Sequence, residues 1–367
     1  VSAALASGGA GPERALAQRL FNALRAQGAE AVEAGVLQPA GALLDLYGED
    51  IRARAYVTMD PLHGEMMLRP DFTLPVVSAH MAEGAEPARY TYMGEVFRKQ
   101  ERARPGRPSE FLQVGYEVFD RADPAASDAE VFALFAKLLQ PWGVRAETGD
   151  MGILRAAVHG LPVSAARRMA LLRHLWRPAR FRALLERFAG RVALSEHRRA
   201  VLARQGEDAP HLGLRSPEEI AARLEALRAD AAEPPLPQAL ITALEGLLAI
   251  DATAPAALAQ LRALSAELPW IAPAVAGFAR RLEALAAHGV EVDTLAYQGS
   301  HGRTTLEYYD GFVFGFSAPG QPDWPALASG GRYDALTAVL GQGRSIPAVG
   351  GAIRPGLLAA LPEGGGC

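Results

Sequence analysis

The chain has 367 residues, half of them apolar, a formal net charge of −4, and a single cysteine at its last position, Cys367. That length and apolar share allow a large buried core, while the net negative charge argues against a protein built to coat nucleic acid, which normally carries a strong basic excess. A lone cysteine excludes a disulfide framework or a multi-cysteine zinc site within one chain, and no metal or other cofactor is expected. No apolar run approaches the roughly 18 to 20 uncharged residues of a membrane span. The opening VSAALASGGAGPERALAQRL lacks the basic-then-apolar order of a secretion signal. The expectation is a cytoplasmic protein with no membrane partner.

Residues 12 to 27 open with Pro12, which suits a first helical turn, and carry Leu16, Leu20, Phe21 and Leu24 on one face before Gly28. Between 50 and 120 the period becomes two: YVTMD, RYTYMGEVF and FLQVGYEVF, separated by Gly, Pro and Asp, predict antiparallel strands. Ser127 and Glu130 have the spacing of a capping box and predict the start of a helix. That helix turns Val131, Leu134, Phe135 and Leu138 inward and ends at Pro141-Trp142-Gly143. From 161 to 284, Ala, Leu and Arg at helical spacing, interrupted by prolines, predict a helical insertion that divides the core into 1–160 and 285–367. Strand-like sequence returns in LEYYDGFVFGF (306–316), followed by ASGGRYDAL, read as a glycine turn, and a last apolar segment.

Period-two alternation in FLQVGYEVF puts Leu112, Val114, Tyr116 and Val118 on one face and Gln113, Gly115 and Glu117 on the other. A glycine between two polar groups leaves a notch where a polar ligand can reach the backbone; the same alternation also suits a strand with one wet face. Upstream, the connection between the two long strands concentrates Arg98, Lys99, Arg102, Arg104 and Arg107. Such a tip can meet phosphates or stand in solvent as ordinary charged surface. In LRPDFT, Arg69 and Asp71 bracket a proline that fixes the local backbone.

These segments share a further property. Residues 90 to 119 resemble motif 2 of class II aminoacyl-tRNA synthetases in the form found in histidyl-tRNA synthetases, and LRPDFT resembles their LRPEGT. LEYYDGFVFGF is similar to their GLDYY strand, and SGGRYDAL with IPAVGGAI to their GGGRYD segment and the start of motif 3. The order and rough spacing agree, over about 36 to 160 and 290 to 358. The resemblance implies an α+β fold, an antiparallel sheet flanked by helices, interrupted by the helical insertion.

The resemblance also implies a pocket for free histidine. Asp71, beside Thr73, stands where the family receives the ammonium; Gln113 and Glu117 match the polar face of the second motif-2 strand; Tyr309 and Tyr333 match tyrosines of the imidazole side. Carboxylates and an amide oxygen suit an ammonium, and a phenol suits a neutral imidazole. Arg98 is the candidate for a phosphate or other anion. Two departures set the chain apart. The arginine that precedes GLDYY is replaced by Thr304, with Arg303 next to it, and the ATP-gripping arginine of motif 3 is replaced by Leu357, with Arg354 one turn earlier. A leucine supplies neither the charge nor the bidentate geometry of arginine. The sequence also stops about ten residues after motif 3, so no anticodon-binding domain and no tRNA partner are expected.

Retained pocket residues with lost activation residues resemble the ATP phosphoribosyltransferase regulatory subunits. That resemblance implies no catalytic residues in this chain and a partner in the short-form catalytic subunit. It further implies histidine as effector and a dimer within a hetero-oligomer.

Overall fold

The computed structural model describes residues 11–41, 55–203, 213–303 and 308–363. Its strands are β1 (Glu30–Ala31), β2 (Leu37–Pro39), β3 (Val57–Asp60), β4 (Gly64–Leu68), β5 (Ala88–Phe97), β6 (Glu110–Phe119), β7 (Arg145–Asp150), β8 (Asp251–Thr253), β9 (Ala296–Gln298), β10 (Phe312–Ser317), β11 (Ala328–Arg332) and β12 (Ala348–Ile353). The helices that matter below are α1 (Pro12–Arg25), α2 (Thr73–Glu83), α3 (Pro124–Leu139), α4 (Met151–His159), α5 (Ala165–Arg173) and α6 (Pro178–Phe188). They continue with α7 (Glu196–Ala203), α8 (Pro217–Ala232), α9 (Gln238–Ala249), α10 (Ala254–Leu264), α11 (Ala272–Ala287), α12 (Asp334–Leu340) and α13 (Pro355–Ala359).

Nine strands form one sheet in the order β1-β5-β6-β12-β11-β10-β7-β9-β8, and β2, β4 and β3 form a small second sheet. Only β1 with β5 and β7 with β9 pair in parallel; the other pairs of the large sheet are antiparallel. The expected α+β architecture, a mostly antiparallel sheet flanked by helices, is what the chain forms. Its first helix runs over Pro12–Arg25 and buries Leu16, Leu20 and Leu24, as the apolar spacing predicts. The hairpin β5–β6 pairs ten residues on each strand, and α3 lies on one sheet face, where Tyr116 donates its hydroxyl to Glu130 at 2.9 Å. Gln113 and Glu117 leave the opposite face, yet they are only 4% and 0% exposed, so that face is covered rather than wet.

Four local expectations are corrected. Residues 73 to 83, inside the stretch expected to be strands, form α2: Pro75 falls in the first turn, where its missing N–H costs nothing, and Leu74, Val76, Val77 and Met81 are buried together. The cap of α3 is Asp123, not Ser127; its carboxylate accepts from the amides of Ala125 and Ala126, and Pro124 occupies the first turn. Glu130 is occupied elsewhere, in a bidentate pair with Arg89. In LEYYDGFVFGF the strand begins at Phe312; Tyr308 to Asp310 precede it as loop, and Thr304 lies outside the described residues. ASGGRYDAL is strand β11 followed by α12, not a turn. Its glycines serve close strand approach: a Cβ on Gly330 would lie 2.3 Å from the Gly350 carbonyl oxygen, and one on Gly331 would lie 2.6 Å from that of Phe312.

The described part of 161–284 is helical apart from turns, a short 3-10 segment and β8, which joins the edge of the large sheet. Helix α11 lies against α3 and sends Arg281 inward to Asp128 and Asp150, both at 2.7 Å. Asp128 also receives Arg332 from β11 at 2.7 Å, and Arg332 reaches Asp334 at 3.1 Å. Asp150 caps α4 through the Ile153 amide. Arg281, Arg332, Asp128 and Asp150 are almost fully buried, and Asp334 lies at the partly exposed end of the chain of paired charges. Each guanidinium meets at least two carboxylates, the arrangement that makes a buried charge tolerable.

Candidate functional site: a two-ended cavity on the sheet

The covered face of β6 and β12 forms the floor of a cavity of about 730 Å³, lined by Asp71, Thr73, Tyr92, Arg98, Gln113, Tyr308, Tyr309, Ser329, Ala352 and Arg354, with Lys99, Arg102, Arg104 and Arg107 over it from the β5–β6 connection. Of the six residues expected to hold a ligand, Asp71, Thr73, Gln113 and Tyr309 face this space. Glu117 and Tyr333 stand in the layer behind. The glycine notch at Gly115 is closed: Tyr92 lies opposite it on β5, and a Cβ there would meet the Tyr92 ring at 2.1 Å. That small-against-large pairing is what lets Tyr92, stacked on Phe72 at 4.4 Å, lie flat in the floor.

Glu117 is held entirely by hydroxyls. Tyr333 donates at 2.5 Å, Thr73 at 2.9 Å and Tyr92 at 3.1 Å, and Tyr308 donates onward to Thr73 at 3.3 Å. No guanidinium or ammonium is paired with it among the described residues. Burial pushes its carboxyl up to about 7 against the pull of those hydroxyls, and nearby Asp71 adds to the rise. Burial and the Glu117 carboxylate raise Tyr92, Tyr309 and Tyr333 above the ordinary phenol range, so all three stay protonated donors. Beside this cage Gln113, nearly fully buried, has an amide oxygen with no hydrogen-bond partner among the described residues. A buried acceptor without a donor is costly unless something supplies one. One carboxylate, hydroxyls and an open amide oxygen at one end of a cavity, with the Glu117 carboxylate behind them, suit a small cation with N–H donors.

The other end is basic. Arg98 donates its Nε to the Pro70 carbonyl at 2.8 Å, and its guanidinium lies 5.4 Å from the Phe111 ring centroid; Arg354 lies 4.9 Å from the same ring. Arg303 is elsewhere: it donates to the Leu175 carbonyl and covers Phe181 in the helical segment. Leu357 is buried on α13. Tyr92, Tyr308 and Arg354 are among the pocket residues that the sequence did not single out as ligand groups. The register of Tyr92 opposite Gly115 is the signal that could have found the first of them.

The family model for histidyl-tRNA synthetase matches residues 8–358. An ATP phosphoribosyltransferase regulatory subunit of Brucella anthropi is 36% identical over 361 residues, 90% of this chain and 94% of the relative. Its counterpart in Brucella canis is 35% identical over 360 residues, with the same two shares. This chain belongs to the histidyl-tRNA synthetase family, in its branch of ATP phosphoribosyltransferase regulatory subunits. A solved structure titled as an ATP phosphoribosyltransferase regulatory subunit/histidyl-tRNA synthetase from Bacillus halodurans superposes with a TM-score of 0.65 at 21% identity, covering 95% of this chain and 78% of that one. The histidyl-tRNA synthetase of Nostoc gives 0.62 at 18% identity, covering 95% and 70%. At those identities the likeness carries the fold: a class II synthetase-like sheet. Among the described residues no helix is long and apolar enough to cross a membrane.

Proposed function

We propose that the chain is the regulatory partner of a short-form ATP phosphoribosyltransferase, that it performs no chemistry itself, and that free histidine is the effector bound in the cavity. The relatives named as regulatory subunits, similar over most of their length, support the first part. The observation that carries the second is the open amide oxygen of Gln113 beside Asp71 and Thr73, a receptor for an ammonium still without its donor. Tyr309, which lines the cavity, meets the imidazole in this reading, and Glu117 and Tyr333 act from behind, by fixing Thr73 and Tyr92.

In this reading the chain activates the catalytic subunit when histidine is scarce and inhibits it when the pocket fills. A difference in histidine affinity of about 5 to 150-fold between two states of the assembly suffices, or about 1 to 3 kcal/mol of coupling. The assembly contains this chain as a two-fold dimer and contains no tRNA. Calorimetric titration of the chain with histidine, then of its mixture with the short catalytic subunit, tests the proposal. Co-elution, altered turnover and histidine-dependent inhibition are expected. Asp71→Ala is expected to weaken histidine binding and inhibition while the complex still forms. Unchanged inhibition in that variant would move the effector site elsewhere, and robust histidine-dependent exchange of pyrophosphate into ATP would replace the regulatory reading with an enzymatic one.

A further inference from the structure

Arg354 is a cation that the reading above leaves without a task. It follows β12 in extended geometry, with its amide bonded to the Leu327 carbonyl at 2.8 Å, so it continues the strand by one residue. The last paired positions of β12 and β6 are Ile353 opposite Val114, and one step further places Arg354 alongside Gln113. Both line the cavity. Among the described residues no carboxylate pairs with Arg354, and its charged neighbours are Arg98 and Arg107. Burial first, and those two guanidiniums second, push it down to about 9. A half-buried cation facing other cations is unfavourable unless an anion completes it.

An α-amino acid carries its ammonium and carboxylate on one carbon. The groups that receive them must therefore stand within the breadth of one residue, which is what neighbouring positions on paired strands provide, about 5 Å apart at Cβ. Gln113 offers the acceptor and Arg354, beside it, a two-pronged donor. We infer that Arg354 receives the ligand's α-carboxylate and thereby restricts the pocket to free amino acids. This rests on the reading of the cavity as an amino-acid site and adds a residue from a position where the synthetase pattern has no arginine. Arg98 has its Nε committed to the Pro70 carbonyl, which leaves it only the end-on pair of terminal nitrogens for a carboxylate.

The test compares histidine with histidinol, which replaces the carboxylate by a hydroxymethyl group and keeps the ammonium and imidazole. Calorimetry on the full chain is expected to show histidine binding on the order of tenfold to a hundredfold tighter, the worth of a charge-assisted pair. Arg354→Met is expected to weaken histidine by about that factor and leave histidinol unchanged, with Arg354→Lys retaining part of the preference. Equal binding of both compounds by the unaltered chain would overturn the assignment of Arg354 alone. Equal loss of both in Arg354→Met, or loss of the preference in Arg98→Met and not in Arg354→Met, would do the same. No binding of either compound to the unaltered chain would instead overturn the amino-acid reading of the cavity, and this assignment with it.

Discussion

Two groups of buried charge lie on either side of this sheet, and they are completed in opposite ways. Between the helical segment and the sheet, Arg281 and Arg332 share Asp128, and each also meets a second carboxylate, Asp150 or Asp334. Around the cavity, among the described residues, Glu117 has three hydroxyls and no cation, Gln113 has an acceptor without a donor, and Arg354 has no carboxylate. The first group is closed and holds parts of the protein together. The second is open at Gln113 and Arg354, the points that the proposed zwitterion would close. Both groups contain fully buried members, Asp128 in one and Glu117 in the other; what differs between them is whether the charges have already found each other.

That contrast can be broken most forcefully from its closed side. Asp128→Ala leaves Arg281 and Arg332 each short of a partner in a dry interior and is expected to destabilise the chain by about 3 to 5 kcal/mol, read as a lowered midpoint in denaturant. If the loss stays below about 1 kcal/mol, the typical worth of an exposed pair, the network does not hold the helical segment to the sheet.

The open side is sensitive to pH. Glu117 has its carboxyl raised from 4.5 to about 7 in the folded chain, so the folded form holds the proton more tightly than the unfolded chain does. The associated stability is fully present below about pH 4.5 and is lost as pH rises through about 7. For this fully buried group the change is on the order of 3 kcal/mol. Thermal unfolding without histidine should therefore show this component falling between pH 5 and 8, and Glu117→Gln should flatten it. A slope identical in both proteins would assign the proton to another group. Added histidine should oppose the loss, because an ammonium favours the ionised carboxylate.

Smaller effects sharpen the same division. Gly115→Ala is expected to cost about 1 to 3 kcal/mol by overpacking and to push the Tyr92 ring out of the floor, weakening histidine binding as well as stability; a change in stability alone would show that the ring has room to move without entering the site. Tyr333→Phe removes one hydroxyl from Glu117 and is expected to cost about 1 kcal/mol while raising the Glu117 titration point further, since that bond favours the ionised form.

Much of this was legible beforehand for identifiable reasons. The face of Gln113 and Glu117 follows from the two-residue period of a strand, and α1 follows from its apolar stripe and Pro12, because both signals are local. The start of α3 was misplaced because Ser127 and Glu130 have the spacing of a capping box, while the structure uses Asp123 and commits Glu130 to Arg89. Helix α2 was missed because its apolar residues cover most of its circumference and leave little periodicity to read.

The residue order by itself determined the family pattern, the strand faces and the identity of the polar groups available to a ligand. Only the tertiary structure decided which of them meet the cavity. It set Glu117 and Tyr333 behind the wall, filled the Gly115 notch with Tyr92, turned Arg303 away and brought Arg354 beside Gln113. The physical reason is that strand period is a property of neighbours in sequence, whereas burial, hydrogen-bond completion and charge pairing depend on register between strands that lie far apart along the chain.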